Sequence, residues 1–287
     1  MKFDKGILLA GGNGSRLRPL TNLLNKHLLP IYDKPMIFYS LSILMLAKIR
    51  KICIVTNEES IHAFENFFQD GKWLGLDITY KIQKKSIGIA NGITLCKEFI
   101  GKSNFAMCLG DNFFFGSDFT GFLERAQNEE HICKIFSYEV QNPSDYGVLS
   151  EKKEIKIYEK PKKFISKKIV PGLYFLPNSA LKISESSKKS KRGEYEITDV
   201  LNKIFKSKKV KIYNLKRGIT WMDLGTLKSI NKASNFVKII QENNKNLIGC
   251  LEEISLKNRW IKKIDYKFFK KKYGESYYFK YLKNLKG

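Results

Sequence analysis

The sequence predicts an α/β fold: a Rossmann-like central sheet, mainly parallel or mixed, flanked by helices, with a β-rich lobe in its second half and helices at its C-terminal end. Three observations carry this. Strand-like and helix-like segments alternate over the first 130 residues, the rhythm that builds a parallel sheet covered on both faces. A glycine loop, Gly11-Gly12-Asn13-Gly14, follows the first apolar run directly. Past about residue 131 the alternation gives way to longer strand-like runs.

In order, residues 5–9 form a short apolar run stopped by the glycines and read as a buried strand. Residues 36–47, too long an apolar run for a strand, read as a helix. Residues 51–56 are rich in β-branched side chains and read as a strand, 58–68 as a helix and 77–82 as a strand. Residues 89–99 read as a helix, and 105–109 as a strand that stops at Gly110-Asp111. Residues 131–140 and 146–158 read as longer strands, the second broken by a charged turn at 151–154. Residues 169–176 read as one strand and 197–205 as a helix; a further strand ends at Trp221-Met222-Asp223. A long helix covers 227–242, and the tail from Leu251 holds short amphipathic helices. No Pro- or Ser-rich linker and no internal repeat divides the chain. Ligands of open α/β sheets gather beyond the carboxyl ends of the strands, which puts the glycine loop and Asp111 in one cleft.

The 287 residues include 52 Lys or Arg and 28 Asp or Glu, a net charge of +24, and 13% aromatics, enough to fill a sizeable core. Disordered, collagen-like and disulfide-stapled classes are excluded. Placement decides what the charge means. Residues 1–150 hold 17 cationic against 15 acidic side chains, and residues 151–287 hold 35 against 13. The excess is scattered lysine in a chain also rich in Ile, Asn and Phe, so it reads as compositional bias on solvated faces. Neither the glycine–aromatic motifs of RNA modules nor the Cys/His pairs of DNA fingers occur, and no nucleic-acid partner is expected. Five widely spaced cysteines without a Cys-x-x-Cys pair point to reduced, mostly buried thiols and a cytoplasmic setting. The four apolar residues 7–10 are too few for a signal-peptide core, and no apolar run approaches the roughly 20 residues of a membrane span.

The chemistry concentrates in Leu8-Leu9-Ala10-Gly11-Gly12-Asn13-Gly14-Ser15-Arg16-Leu17-Arg18-Pro19-Leu20-Thr21 and the downstream Lys26-His27-Leu28-Leu29-Pro30. Glycines after a strand let backbone N–H groups approach a phosphate, and Ser15 adds a hydroxyl donor. Arg16 offers a bidentate fork to phosphoryl oxygens and Lys26 a point charge. No Gly-Lys-[Ser/Thr] follows, so this is not a Walker loop; Leu17 stands where a dinucleotide fingerprint needs its third glycine. Asp111 and Asp223 each follow an apolar strand. Beside a triphosphate they suit Mg²⁺, which takes carboxylate and phosphate oxygens and keeps several waters. His27, His62 and His131 are too scattered for a zinc cluster and read as structural. Gln83 can pair with a base edge through its amide, and Gly88 lets a planar base lie against backbone.

The pattern Gly-Gly-x-Gly-[Ser/Thr]-Arg-Leu-x-Pro-x-Thr with a later Lys-x-x-Leu-Pro resembles the sugar-phosphate nucleotidylyltransferases. Lys26 to Ile37 are most similar to the glucose-1-phosphate thymidylyltransferases among them. Further blocks agree in order along the chain: Leu109-Gly110-Asp111-Asn112, Asp145-Tyr146-Gly147-Val148, Glu159-Lys160-Pro161, Gly172-Leu173-Tyr174-Phe175, Arg192 to Asp199 and Trp221 to Thr226. The resemblance implies Mg²⁺-dependent transfer of a deoxythymidylyl group from dTTP to glucose 1-phosphate, giving dTDP-glucose and pyrophosphate, the first step of dTDP-rhamnose or deoxysugar synthesis. It places catalysis on Arg16, Lys26 and Lys160. Nucleotide binding falls to Leu9, Gly11, Gly12, Gly14, Ser15, Arg16, Gln83 and Gly88. Sugar-phosphate binding falls to Gly147, Glu159, Lys160 and Tyr174, and the metal to Asp111 and Asp223. It implies a catalytic domain over 1–250, nucleotide-binding to about 130 and sugar-binding beyond, then a helical appendage over 251–287, in a homotetramer. Lys85, Ser86 and Ile87 depart from the pattern before Gly88; so do Asn91, where Gln is usual, Tyr158 and Leu224. These leave UTP or another sugar phosphate as the alternative. A non-catalytic anion- or nucleic-acid-binding relative is the remote one.

Overall fold

The computed structural model describes residues 3–130, 133–152, 154–206 and 210–285. The chain opens with β1 (Lys5–Ala10), a two-residue hairpin β2 (Pro30–Ile31) and β3 (Lys34–Pro35), then α1 (Met36–Leu46), β4 (Lys51–Thr56), α2 (Ile61–Phe68) and β5 (Asp77–Ile82). There follow α3 (Ile89–Leu95), α4 (Lys97–Ile100), β6 (Phe105–Leu109), β7 (Asn112–Gly116), α5 (Phe119–Asn128) and β8 (Cys133–Glu139). The second half adds β9 (Gly147–Ser150), β10 (Lys156–Glu159), β11 (Lys168–Ile169), β12 (Leu173–Leu176), α6 (Ser179–Glu185), α7 (Ile197–Phe205), β13 (Val210–Asn214) and β14 (Ile219–Asp223). It closes with α8 (Leu227–Asn244), α9 (Leu251–Lys257), α10 (Tyr266–Tyr273) and α11 (Tyr277–Lys283).

Among the described residues a ten-stranded sheet runs β10-β9-β11-β8-β12-β6-β1-β4-β5, with β13 also paired to β8. The expected parallel pairing holds for β5, β4, β1 and β6. At β12 the direction reverses, and apart from β13 the second half pairs antiparallel, so the sheet is mixed. Period-two alternation covers both faces. Ile7, Cys53, Val55 and Met107 pack with α3, α6 and α7, while Leu8, Ile54, Ala106 and Cys108 pack with α1, α2 and α5. Helix α1 is buried along nearly its whole length, as its all-round apolar sequence requires.

Several elements differ from their sequence reading. The helix expected over 58–68 begins at Ile61. The helix expected over 89–99 divides at Cys96 into α3 and α4. The strand expected over 169–176 divides into β11 and β12 at Val170-Pro171-Gly172, where proline has no N–H to give a ladder. The start of the strand expected from His131 lies outside the described residues, as does His131 itself. The five cysteines are unpaired and buried, as expected, and among the described residues no helix is long and apolar enough to cross a membrane.

The C-terminal helices share the core of α1 and α2: Leu251, Phe269, Phe279 and Leu282 join Phe38, Phe64 and Phe68 in one buried cluster. Leu282 is wholly buried. Leu282→Ala is expected to cost about 2–5 kcal/mol of global stability in denaturant melts. A loss of only a few tenths would show that the tail adds little to the core.

Candidate active site

The carboxyl ends of the four parallel strands meet along one edge, because their registers align Ala10 with Thr56, Thr56 with Ile82 and Leu9 with Leu109. That edge carries Gly11, Gln83 and Asp111. The glycine loop makes a left-handed turn at Gly14 (φ 57°) before a 3₁₀ turn through Ser15–Leu17. Thr21 Oγ1 donates to Gly14 O at 2.8 Å, closing the loop on itself, and Asn25 Nδ2 donates to Ala10 O at 3.0 Å, tying the segment to the end of β1. Asn25 Oδ1 accepts from His27 N at 2.9 Å and lies 2.8 Å from His27 Nδ1. Burial and the neighbouring Lys26 push the His27 pKa down to about 3, so the ring is neutral and structural.

Two cation–carboxylate pairs stand at the mouth of this edge. Lys26 Nζ donates to Asp111 Oδ2. Arg16 Nη2 lies 4.0 Å from Asp223 Oδ2, its guanidinium over Gly225, where a Cβ would come within 2.4 Å of Nη2. The carboxylates are brought together by a pairing across the whole chain: β14 lies antiparallel to β7 with Asp223 opposite Asn112, and Leu224 N donates to Asp111 O at 2.9 Å. Burial disfavours the Asp111 carboxylate, but Lys26 outweighs it and holds the group well below the usual range. Asp223 is pushed up to about 6 by burial and by the Asp111 charge. Two half-buried carboxylates that repel each other are a ready pair of ligands for a divalent cation. The described residues contain no group of three or more His, Cys, Asp or Glu able to hold a metal. A hard cation completing its shell with phosphate and water oxygens fits that donor set, and zinc does not.

A cleft of about 180 Å³ brings Arg16, Asp111, Gly147, Glu159, Lys160, Tyr174 and Asp223 together. Lys160 sits at φ 40°, a left-handed conformation costly for a side chain with a Cβ, with its N–H donating to Tyr146 O at 3.0 Å. The turn sets Lys160 in the cleft lining at the end of β10. Burial and Glu196 raise the Glu159 pKa against the opposing Arg192 and Lys160. Arg192 was not singled out by the sequence, yet its Nη1 lies 3.2 Å from Glu159 Oε1 and 3.1 Å from Glu196 Oε1. Its Nη2 lies 3.1 Å from Glu194 Oε1. Three acidic neighbours gather around one guanidinium at the sugar end, a relation that no linear spacing announces.

Past the end of β5, Gln83 is buried, and its Nε2 donates to Asn91 Oδ1 at 3.0 Å, so the unusual Asn91 sets the reach of that amide. Gly12 backs onto the Lys26 side chain and Gly11 onto Gln83. Gly88 has a reason for being glycine that the sequence did not show. At φ 115° its missing Cβ would lie 2.4 Å from Tyr195 O. Tyr195 N donates to Ile87 O at 2.8 Å and Ala90 N to Tyr195 O at 3.1 Å, stitching the loop after Gln83 to the segment bearing Arg192.

A glycine loop, paired cations and carboxylates at the ends of a parallel half-sheet, and a cleft beyond them lined by Lys160, Arg192 and several acidic side chains fit a nucleotidyltransferase. The nucleotidyl transferase family model matches residues 5–239, and the chain belongs to that family. Within it, the chain is 41% identical over 260 residues to the glucose-1-phosphate thymidylyltransferase of Neisseria meningitidis serogroup A, covering 90% of each. It is 40% identical over 286 residues to that of Neisseria gonorrhoeae, covering 99% of each. Among solved structures it is similar to a UDP-glucose pyrophosphorylase complexed with UDP-glucose, with a TM-score of 0.74 and 27% identity over 83% of this chain and 99% of that one.

Proposed function

We propose that the chain transfers a deoxythymidylyl group from dTTP to glucose 1-phosphate, releasing pyrophosphate and giving dTDP-glucose, with Mg²⁺ as the metal. The observation that carries the reading is the convergence of Arg16–Asp223, Lys26–Asp111 and Glu159-Lys160 on one edge of the sheet, in a chain about 40% identical over most of its length to thymidylyltransferases.

A sugar phosphate oxygen forms the new bond to the α-phosphorus, and the α-phosphorus loses its bond to the bridging oxygen of the leaving pyrophosphate. The attacking phosphate is largely ionised near neutral pH, with a second pKa of about 6, so no general base is needed. The obstacle is bringing two polyanions together. Backbone N–H groups of Gly11–Ser15 cradle the triphosphate. Arg16 and Lys26 stabilise charge growing on the α-phosphate and the leaving group. Lys160 holds the sugar phosphate in line, Glu159 accepts from sugar hydroxyls, and Gly147 and Tyr174 wall the sugar pocket. Gln83 and the Gly88 loop take the base, beside Leu9. Asp111 and Asp223 would hold the Mg²⁺, which supplies Lewis-acid stabilisation of phosphoryl charge when bound. The same reading carries a homotetramer, resting on family resemblance alone, and a cytoplasmic setting, supported by the five unpaired buried thiols.

A second reading, UTP as the donor, is favoured by the Ile87 and Asn91 departures beside Gln83. Pyrophosphate release measured with dTTP, UTP, CTP and ATP against glucose 1-phosphate separates the two. The largest kcat/KM is expected with dTTP. A larger value with UTP would move the assignment to that donor, and no release with any of the four would overturn both readings.

A further inference from the structure

The side chain of Asn112 is buried at the start of β7 with its amide oriented unambiguously. Its Oδ1 accepts from Trp221 Nε1 at 2.7 Å and from Gly172 N at 2.9 Å. An indole N–H and a peptide N–H can only donate, so the oxygen must face them. The amide nitrogen is thereby turned toward Asp111, and Nδ2 donates to Asp111 Oδ1 at 3.1 Å. The other carboxylate oxygen, Oδ2, carries Lys26. One donor on each oxygen fixes both the plane and the tilt of the carboxylate.

The two anchors of Asn112 come from opposite sides of the cleft. Gly172 leads into β12, which carries Tyr174. Trp221 stands two residues before Asp223 on β14, its ring 5.3 Å from that of Tyr146. We propose that Asn112 is a positioning residue for the transfer reaction: it locks the Asp111 carboxylate and ties its orientation to the sugar-side strand and to the strand that ends in Asp223. The proposal rests on the reading of Asp111 as a cation ligand. Partners that orient a ligand in this way are typically worth about 10–100-fold in activity or affinity.

Asn112→Asp is the discriminating variant. The new carboxylate still accepts from Trp221 and Gly172 and has lost the amide donor to Asp111, but it also sets a second negative charge beside that carboxylate, so Trp221→Phe, which adds no charge, is measured alongside it. Expected for Asn112→Asp are a kcat lowered by at least about 10–100-fold, a KM for glucose 1-phosphate close to wild type and a melting temperature lowered by the added charge. The electron paramagnetic resonance spectrum of Mn²⁺ added with dTTP is expected to change, because it reports ligand geometry. Wild-type kcat and an unchanged Mn²⁺ spectrum would overturn the role of Asn112. So would a kcat loss in Trp221→Phe accompanied by a depressed melting temperature and a raised KM, the mark of a structural residue. If Asn112→Asp does not fold, Trp221→Phe carries the test. It removes one of the two anchors and keeps the ring, and is expected to lower kcat several-fold and shift the Mn²⁺ spectrum; unchanged values overturn the proposal. Turnover independent of metal in both wild type and Asp111→Asn would instead sink the cation-ligand reading beneath it.

Discussion

Arg16→Ala is expected to lower kcat/KM by about a thousandfold, the scale of a lost arginine contact in phosphoryl transfer. The guanidinium is mostly exposed and its nearest carboxylate is 4.0 Å away, too loose a pair to hold the fold together. Its value therefore lies in what it meets when substrate arrives. A planar fork can take two oxygens of one phosphate or bridge two phosphates, and near a low-dielectric wall each contact gains strength as charge accumulates. Arg16→Lys keeps the charge and loses the fork, and should fall between the two. Continuous pyrophosphate release measures all three, with thermal melts expected to coincide. An alanine variant of near-wild-type rate would remove Arg16 from the reaction.

Asp223→Asn should lower the rate by at least about a hundredfold, with a matching rise in the Mg²⁺ concentration needed for half-maximal rate, since an amide is a poor ligand for a hard cation. The wild type carries its own control in pH. Because burial and Asp111 push Asp223 up to about 6, the carboxylate takes up a proton as pH falls through that value. Mn²⁺ binding to the substrate-free protein is then expected to hold above about pH 6 and weaken below it. The asparagine variant should bind more weakly throughout and lose that inflection. Identical metal titrations in the two proteins would exclude Asp223 as a ligand.

The parallel half of the fold was legible because its inner strands are short, mostly buried apolar runs, two of them closed by a glycine. The run 5–9 before Gly11 and the run 105–109 before Gly110 fell within a residue of the observed β1 and β6. Local pattern failed where structure depends on distant partners. Residues 112–116, Asn-Phe-Phe-Phe-Gly, drew no strand reading, yet their pairing with β14 is what sets Asp111 beside Asp223. The break at Pro171-Gly172 was hidden inside an otherwise continuous apolar stretch. Within the site, the sequence marked Arg16, Lys26 and the two aspartates by residue type and order. It marked Arg192 and Asn112 only as members of motif blocks and gave them no role, because their significance is a set of contacts: three carboxylates around one, two donors behind the other. A phosphate-facing cation was expected at Lys26, and the structure places it on Asp111.

That pairing bears on how a chain of net charge +24 can remain selective toward anions. At rest the cleft is internally compensated, with Lys26 against Asp111 and Arg16 near Asp223. On the proposed reading, a bare polyanion that captured both cations would leave two half-buried carboxylates facing each other, a cost set against its gain. A polyanion bound together with a divalent cation would avoid that cost, because the carboxylates would hold the metal. The site read in this way would answer to a metal nucleotide in preference to loose phosphate, however basic the surrounding surface.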